Sequence, residues 1–361
     1  MRTRRRLRPE RIKELTLLLL IIGTLVVFSL VIDNYLTGRF FNRVTQGVAV
    51  IAVIAAGQSL VIITRNIDLS VGSIAGVSAY LTGDVLGDHL ATPPVLAVLL
   101  AVAIGTLLGL VNGALVAYGR IPSIIVTLGT LAIYRTWLIS YAEARTITAS
   151  SLPQWLVDLP RSTVFAIGEF EFRTMFVLAI VVIVVLQVLL ARVRAGRILY
   201  AIGSNPEAAV QSGLPVRRTT IAAFTACGAL AGLGGFLLLA RFGTLTVSAG
   251  QGLELESIAA AVVGGVSTLG GSGTIVGSFF GAVLIGLLDQ SIVRVPQISE
   301  FVRDAVLGLL ILLAVVLDGL LSRRFVQRRT IMPVEGSGGA PPKQAVGVAG
   351  SRQAVVTGGR P

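Results

Sequence analysis

Cysteine, histidine and charged residues are all scarce in this sequence of 361 residues. A single cysteine, Cys227, excludes an intramolecular disulfide framework and any metal site built from several cysteines, and we expect it to pack inertly in an apolar run. Charged residues make up 13% of the chain, against about 25% in soluble domains, while 54% are hydrophobic. A water-soluble core cannot hide this much apolar surface, so the composition predicts a protein that is surrounded by lipid.

The net charge of +12 comes from basic residues that cluster in a few short segments. Such clusters are typical of membrane-topology signals. They do not form a broad patch with interleaved aromatic residues, so nucleic acid is not expected as a partner. The basic N-terminus precedes an apolar run at 15–32 that is long and lacks a cleavage site of small residues. We therefore interpret this run as a retained first helix rather than a secretory signal.

Long apolar runs predict a chain that crosses the membrane many times, because about 20 apolar residues in a helix span a bilayer. We predict an all-α fold, a polytopic membrane helix bundle of about ten transmembrane helices with two interrupted repeats. The predicted spans are 15–33, 44–64, 67–87, 94–116, 123–141, 174–191, 219–240, 255–269, 273–292 and 303–321. Residues 64–76 and 268–282 are loosely alike, and their glycines either pack tightly or break helices beside a cavity.

The distribution of basic residues predicts the orientation. With the N-terminus in the cytoplasm, the inner segments hold eighteen basic residues and the outer segments nine. This asymmetry follows the positive-inside rule and places both termini in the cytoplasm. The resulting domains are a basic N-terminus (1–14), a transmembrane domain (15–321) with a cytoplasmic loop at 192–218, and a basic, then disordered, tail (322–361).

The cytoplasmic loop 192–218 carries the signals of a short helix at about 206–212. Asn205 is a good N-cap, Pro206 fits the first helical position, and Glu207 complements the positive helix end. Gly213 can end the helix and Pro215 prevents its continuation. A helix of two turns is too short to be stable alone. It is therefore either a lever that docks on another protein or a surface loop with a well-formed cap.

Four long motifs in order resemble the permease subunits of bacterial ATP-binding-cassette importers for ribose, related monosaccharides and autoinducer-2. The resemblance covers about 44–321, and the motifs are GQSLVIITRNIDLSVGSIAG (57–76), NGALVAYGRIPSIIVTLGTLAIYR (112–135), GRILYAIGSNPEAAVQSGLPV (196–216) and GLELESIAAAVVGGVSTLGGSGTIVGSFFGAVLIG (252–286). It implies a bacterial inner-membrane protein that pairs with a second permease copy or paralogue, two ATPase subunits and a periplasmic sugar-binding protein. TRNID at 64–68 and DQS at 289–291 favour rhamnose as the solute, then autoinducer-2, then ribose.

In the family, the element similar to 196–216 docks the ATPase. The residues expected to couple to the ATPase are Asn205, Pro206, Glu207, Ala208, Ala209 and Gly213. The sequence has no Walker A loop, so ATP and magnesium are expected in the partner ATPase, with no cofactor in this chain and no enzymatic activity of its own.

Polar residues within the spans are candidates for the solute path, because such residues are costly in lipid and usually face a cavity. The candidates are Arg65, Asn66, Asp68, Ser70, Ser73, Asn112, Thr127, Thr130, Ser257 and Asp289. Arg65 and Asp68 either pair with each other or line the path, and Asn112 either lines it or bonds a neighbouring helix. Glu254 and Glu256 are expected near the outer face, in contact with the binding protein.

Two functions from other classes are compatible with a polytopic protein. An ion-coupled carrier needs buried carboxylates in mid-span, and Asp289 is the clear candidate. An intramembrane enzyme needs paired aspartates or a cluster of metal ligands in the spans, and the sequence shows neither.

Overall fold

Helices make up most of the chain that can be described. The computed structural model describes residues 9–295 and eight isolated helical positions between 302 and 316. The predicted tail at 322–361 lies outside the described residues, and the last predicted span and the basic N-terminus lie largely outside them. The helices are α1 (Pro9–Val31), α2 (Gly38–Ile63), α3 (Val71–Asp88), α4 (Pro94–Gly119), α5 (Ser123–Ala142), α6 (Gln154–Asp158), α7 (Thr174–Arg192), α8 (Arg194–Ser204), α9 (Pro206–Gln211), α10 (Val216–Phe242), α11 (Leu253–Val263) and α12 (Ile275–Ile292).

Six of these helices, α2, α4, α5, α7, α10 and α12, are long and apolar enough to cross a membrane. The described part of α1 adds a shorter apolar stretch, Leu17–Val31. Each of the first nine predicted spans contains a helix, but the count of ten membrane crossings and the two repeats are not confirmed. The architecture is a polytopic helical bundle in which α2 is the central helix, buried along most of its length.

Two of the predicted spans are shorter in the structure than in the sequence-based prediction. The span expected at 67–87 begins only at Val71, because residues 64–70 form a break in which Arg65 has a φ of +63°. The span expected at 255–269 is α11, which has 11 residues. At 1.5 Å per residue it is about 16 Å long, roughly half of the hydrocarbon thickness. A second break, at 264–274, separates α11 from α12.

Backbone-to-backbone contact joins α4 and α10 at the middle of the bundle. A Cβ atom on Gly105 would lie 2.2 Å from the Gly228 carbonyl oxygen, and one on Gly109 would lie 2.4 Å from the Phe224 carbonyl oxygen. Neither distance is possible for a real side chain, so glycine is required at both positions. Small residues allow this close approach between membrane helices.

The segment 143–173 is more ordered than a plain connecting loop. It contains α6, 3₁₀ turns at Ala149–Ser151 and Leu159–Arg161, and an antiparallel hairpin of β1 (Thr163–Ile167) and β2 (Phe170–Arg173). Asn42 at the start of α2 donates to the Glu171 carboxylate (3.1 Å), and the rings of Phe41 and Phe170 meet edge to face. The hairpin therefore packs on the end of α2 that lies farthest from the break at 64–70.

Gly109→Ala is expected to destabilise the bundle, because the added methyl overlaps the α10 backbone; overpacking of this kind costs about 1–3 kcal/mol. Gly129→Ala in α5 is the matched control, since a Cβ at that position meets no atom within 4 Å. There the better helix propensity of alanine should leave stability unchanged or raise it slightly. Thermal unfolding in detergent, followed by the monodisperse fraction, measures both, and equal melting temperatures would contradict the prediction.

Candidate functional site

A chain of four buried polar side chains lies where α2 breaks before α3. The Tyr134 hydroxyl donates to the side-chain oxygen of Asn112 (3.2 Å), and the Asn112 amide donates to the Ser70 hydroxyl (2.7 Å). The Ser70 hydroxyl and backbone N–H both donate to Asp68 Oδ1 (2.6 and 2.9 Å). Asp68, Ser70 and Asn112 have no exposed surface. We call these four residues the polar chain, and it links α4 and α5 to the break. Asn112, which the sequence offered either as a path residue or as a bond to a neighbouring helix, bonds both α5 and the break.

Further side chains satisfy the backbone of the same break. The Gln58 amide lies against the Asp68 peptide, and in the orientation that pairs both groups its nitrogen donates to the Asp68 carbonyl and its oxygen accepts from the Asp68 N–H, each at 3.2 Å. Ser123 accepts from the N–H of Ile67 (3.1 Å), and Thr127 donates to the Ile67 carbonyl (3.3 Å). The break is therefore fixed by α2 and α5, and one atom, Asp68 Oδ2, is buried without a hydrogen-bond partner.

Arg65 does not form the ion pair with Asp68 that the sequence allowed. Its Nε donates to the Gly203 carbonyl (2.5 Å) and its Nη2 to the Ser204 carbonyl (2.7 Å), at the C-terminal end of α8. Gly203 fits there because a Cβ would overlap the Ile63 carbonyl at the end of α2. Arg65 thus attaches the break directly to the loop that precedes α9.

The second break meets the first one at the same place. The Gly271 N–H donates to the Ile63 carbonyl (2.9 Å), which joins the two breaks backbone to backbone. The Tyr200 hydroxyl of α8 donates to the Gly273 carbonyl (2.7 Å). Gln187 of α7 accepts from the N–H of Ile275 (2.9 Å) and so caps the start of α12. The C-terminal half of α8 is consequently bound to both interrupted regions.

The short helix that was predicted at 206–212 is α9, at Pro206–Gln211. Asn205 caps it by accepting from the Ala208 N–H (3.0 Å), and Gly213 ends it with a φ of +72°. Ala209 is its buried contact, whereas Glu207 and Ala208 are exposed and Val210 is 63% exposed. The sequence did not predict α8, so the loop contains two helices, and α9 presents its outward face to solvent.

The structure brings some of the remaining path candidates close to the polar chain. Ser73, one turn along α3, donates to the Leu131 carbonyl (3.1 Å), and Thr130 is buried in α5. The Asn66 side chain donates to the nearby Thr64 carbonyl (3.0 Å), and Ser257 donates to a carbonyl within α11. Asp289 lies in the last turn of α12, so it is not the mid-span carboxylate that the sequence indicated.

The prediction that Glu254 and Glu256 lie near the outer face, in contact with a binding protein, stays a prediction, and the structure shows what surrounds each carboxylate within the chain. Glu256 is 7% exposed, so it offers little surface to a partner. Glu254 lies against Gly72 in the first turn of α3, where a Cβ atom would touch its carboxylate. The connection before α11 turns back into the bundle, which a hydropathy pattern does not reveal.

Sequence reasoning missed the residues that hold the break and the loop, namely Gln58, Ser123, Tyr134, Arg135, Gln187 and Tyr200. Gln58 and Gln187 stood out only as single polar residues within long apolar runs. Such residues must find partners when the helix is buried in a membrane bundle. That expectation could have flagged them, although it does not identify their partners.

The sequence also shows which protein family this chain belongs to. Residues 41–315 match the family described as a branched-chain amino acid transport system permease component, and the chain belongs to this family. It is therefore a multi-pass membrane permease of the class found in ATP-binding-cassette importers, as the sequence motifs led us to expect. No solved structure matches the chain.

Individual permeases are similar to this chain over most of its length. The autoinducer 2 import system permease protein LsrC of Enterobacter sp. (strain 638) is 34% identical over 317 residues, which cover 88% of this chain and 90% of the relative. LsrC of Shigella flexneri is 35% identical, covering 85% of this chain and 87% of the relative. The fructose import permease protein FrcC of Rhizobium meliloti is 34% identical, with 83% and 84% covered.

Ser70→Ala is expected to destabilise the protein by about 1–3 kcal/mol, because it leaves the Asn112 amide without its acceptor and removes a donor from buried Asp68. Ser73→Ala is the control, since Ser73 is equally buried but makes one bond to a backbone carbonyl. The melting temperature in detergent should fall clearly further for Ser70→Ala. If Ser73→Ala matched or exceeded its effect, the polar chain would not be the interaction that holds the break.

Proposed function

We propose that the chain is the membrane-spanning subunit of an importer, in which separate ATPase subunits dock on α9 and drive a small hydroxylated solute through the bundle. The observation that supports this most directly is the connection from α9 through α8 to both breaks. An exposed helix of two turns is unstable alone, so it needs bracing. Arg65, Gly203 and Tyr200 supply that bracing at the two places where the membrane helices are interrupted.

The orientation follows from this proposal. Docking of a cytosolic ATPase requires α9 to lie in the cytoplasm, which agrees with the basic residues on both sides of the loop 192–218. Both termini then lie in the cytoplasm of a bacterial cell, and the hairpin of β1 and β2 lies on the outer side. A second copy or paralogue and an external solute-binding protein would complete the importer, with ATP and magnesium bound by the ATPase.

The solute class is proposed from the relatives and from the polar chain together. Relatives of comparable identity are named for autoinducer 2 and for fructose, and they give no support to the preference for rhamnose. Hydroxyl, amide and carboxylate groups near the break suit a solute with several hydroxyls. We therefore propose a small hydroxylated solute, with autoinducer-2, fructose and ribose as the first compounds to test.

A second function, that of an ion-coupled carrier, has one observation in its favour. Asp68 is a fully buried carboxylate with an unpartnered oxygen, as proton and ion relays in membranes often have. The two functions differ in their need for an ATPase. Uptake into vesicles that hold the chain alone would favour the carrier, whereas uptake that requires the ATPase and ATP supports the importer.

The test of docking uses Gly213→Val in full-length chain that is co-expressed with the proposed ATPase and solute-binding protein. Valine at a φ of +72° is strained, although a Cβ there meets no atom within 4 Å, so the end of α9 must distort. We expect the ATPase to copurify poorly and ATP-dependent uptake of labelled solute to fall at least about tenfold.

The control for this variant is Gly168→Val in the turn of the β-hairpin. Its φ is +60° and its surroundings are equally open, so it has a comparable local strain far from α9. It should leave copurification of the ATPase unchanged. Normal copurification and uptake by Gly213→Val would refute docking on α9, and so would loss of ATPase from Gly168→Val to the same degree.

Arg65→Gln is expected to uncouple transport while the ATPase still binds. The variant removes the charged donor that holds the Gly203 and Ser204 carbonyls, and hydrogen bonds of this type contribute about 1.5–3 kcal/mol. Uptake per ATP hydrolysed should therefore fall at least about tenfold. Arg120→Gln is the matched control, because Arg120 has a similar φ of +55° at the end of α4 and is exposed. Equal coupling ratios in the two variants would contradict the assignment.

A further inference from the structure

The connection between α10 and α11 turns back into the bundle. The 27 residues of α10 carry the chain about 40 Å away from the loop that contains α9. At that far end Leu245 pairs with Ile147 through two backbone hydrogen bonds (2.9 and 3.0 Å). Only five residues later, Gly250 lies against the first turn of α3, where a Cβ on it would be 2.3 Å from the Gly72 carbonyl oxygen. We call residues 246–252 the re-entrant segment.

The re-entrant segment is one chain thick between solvent and the bundle. Its residues alternate in exposure, so that one side faces solvent and the other faces the bundle. The exposed residues are Thr246, Ser248 and Gln251, and the covered or half-covered ones are Val247, Ala249 and Gly250. Within the described residues, this segment covers the α3 backbone at Gly72 and Gly76, together with the side chains of Glu254 and Arg135.

The covered part of α3 directly follows the polar chain. Ser70 precedes Val71, the first residue of α3, and Ser73 lies in its first turn. The re-entrant segment therefore covers the start of α3, next to the polar chain, on the side away from α9. The loop with α8 and α9 is bound to the same break from the opposite side, through Arg65.

One charged side chain ties the re-entrant segment to the rest of the bundle. Arg135 of α5, next to Tyr134 of the polar chain, donates from Nη1 to the carbonyls of Ala249 (2.7 Å) and Val247 (3.2 Å). The Glu254 carboxylate acts electrostatically on this guanidinium and also accepts from the Gly252 N–H (3.2 Å). Charge-assisted hydrogen bonds of this kind are stronger than neutral ones.

Glycine backbone makes the closest approach of the segment to α3, while Val247 and Ala249 pack against the hydrophobic core. A Cβ on Gly76 would lie 2.3 Å from the Ala249 carbonyl oxygen, so the two backbones touch without interlocking side chains. Gly250 and Gly252 have φ values of +76° and +89°, which glycine adopts at little cost. The segment can therefore separate from α3 by rotation at these glycines once the guanidinium bonds are released.

We propose that Arg135 is the positioning residue that seats the re-entrant segment as a gate between the polar chain and the face opposite α9. Release of its two carbonyl bonds opens the solute path to that face. The direction of transport rests on the proposed function, because solute then arrives on the side opposite the ATPase. The seating itself is a property of the chain alone and can be tested without an ATPase or a solute.

The test measures how fast a maleimide labels single cysteines in full-length chain in nanodiscs, on a Cys227→Ala background. The first reporter, Ser73→Cys, lies next to Gly72, which the segment covers, and is 1% exposed as serine. The second reporter, Ser248→Cys, lies on the solvent-exposed side of the segment. In Arg135→Gln we expect Ser73→Cys to be labelled at least about tenfold faster, with the labelling of Ser248→Cys unchanged.

Two controls separate a gate from general loss of structure. Ser278→Cys in α12 is fully buried and must stay unreactive when Arg135 is changed. Arg145→Gln removes an arginine that bonds the end of its own helix and Asp84 instead of the segment, and it should leave Ser73→Cys protected. Protection of Ser73→Cys in folded Arg135→Gln would overturn the proposal and leave Arg135 as a structural brace.

Labelling of Ser278→Cys in Arg135→Gln would mean that this variant loses structure generally. In that case the milder variant Arg135→Lys provides the test. Lysine retains the charge but replaces the planar fork by a single point donor. We expect labelling of Ser73→Cys to lie between the rates of the parent and an open gate, with Ser278→Cys unreactive. A rate equal to that of the parent would refute the proposed role of the two carbonyl bonds.

Discussion

The need to satisfy backbone groups inside the bundle governs the break at 64–70, and the rest of the site depends on that break. A membrane helix bonds its own N–H and C=O groups, so each interruption must borrow partners from neighbouring segments. Here Gln58, Ser70, Ser123 and Thr127 serve the backbone or carboxylate of a few residues around Asp68. Two helices, α2 and α5, therefore bond to one short stretch of chain, and a displacement of that stretch must change the contacts of both.

The same constraint explains how a small helix on the surface can influence the interior. The last residues of α8 supply carbonyls to Arg65 and a hydroxyl to the second break, while the two breaks share a hydrogen bond between Gly271 and Ile63. Glycine at 203 allows these three backbones to touch. Any displacement of the end of α8 would therefore act on both breaks through close backbone contacts as well as through the Arg65 and Tyr200 side chains. A packed contact of this kind has discrete arrangements and does not deform continuously.

Local signals allowed the sequence to predict α9, because Asn205, Pro206 and Gly213 each act within one turn of chain. Hydropathy located the long helices for a similar reason. It could not predict that α11 has only half the length of a span, since apolar residues continue through Gly264 into the break. Hydropathy also could not predict the surroundings of Glu254, because they come from α3, far away in sequence. Asp68, Ser70 and Asn112 were among the candidates from the sequence, but Tyr134 was not. The order Tyr134, Asn112, Ser70, Asp68 depends on how α5, α4 and the break pack together.

Arg65 and Arg135 have the same kind of hydrogen-bond partner, backbone carbonyls, and bonds of this kind can be exchanged when a segment moves. Each donates to two backbone carbonyls of a neighbouring segment rather than forming a close ion pair. Breaking a buried ion pair strands an uncompensated charge and costs about 3–5 kcal/mol. A carbonyl released from a guanidinium can instead take a hydrogen bond from water, so the net cost is closer to about 1.5–3 kcal/mol. Hydrogen bonds of this strength hold a segment in place at rest, yet they can be exchanged for other partners at a lower cost than a buried ion pair.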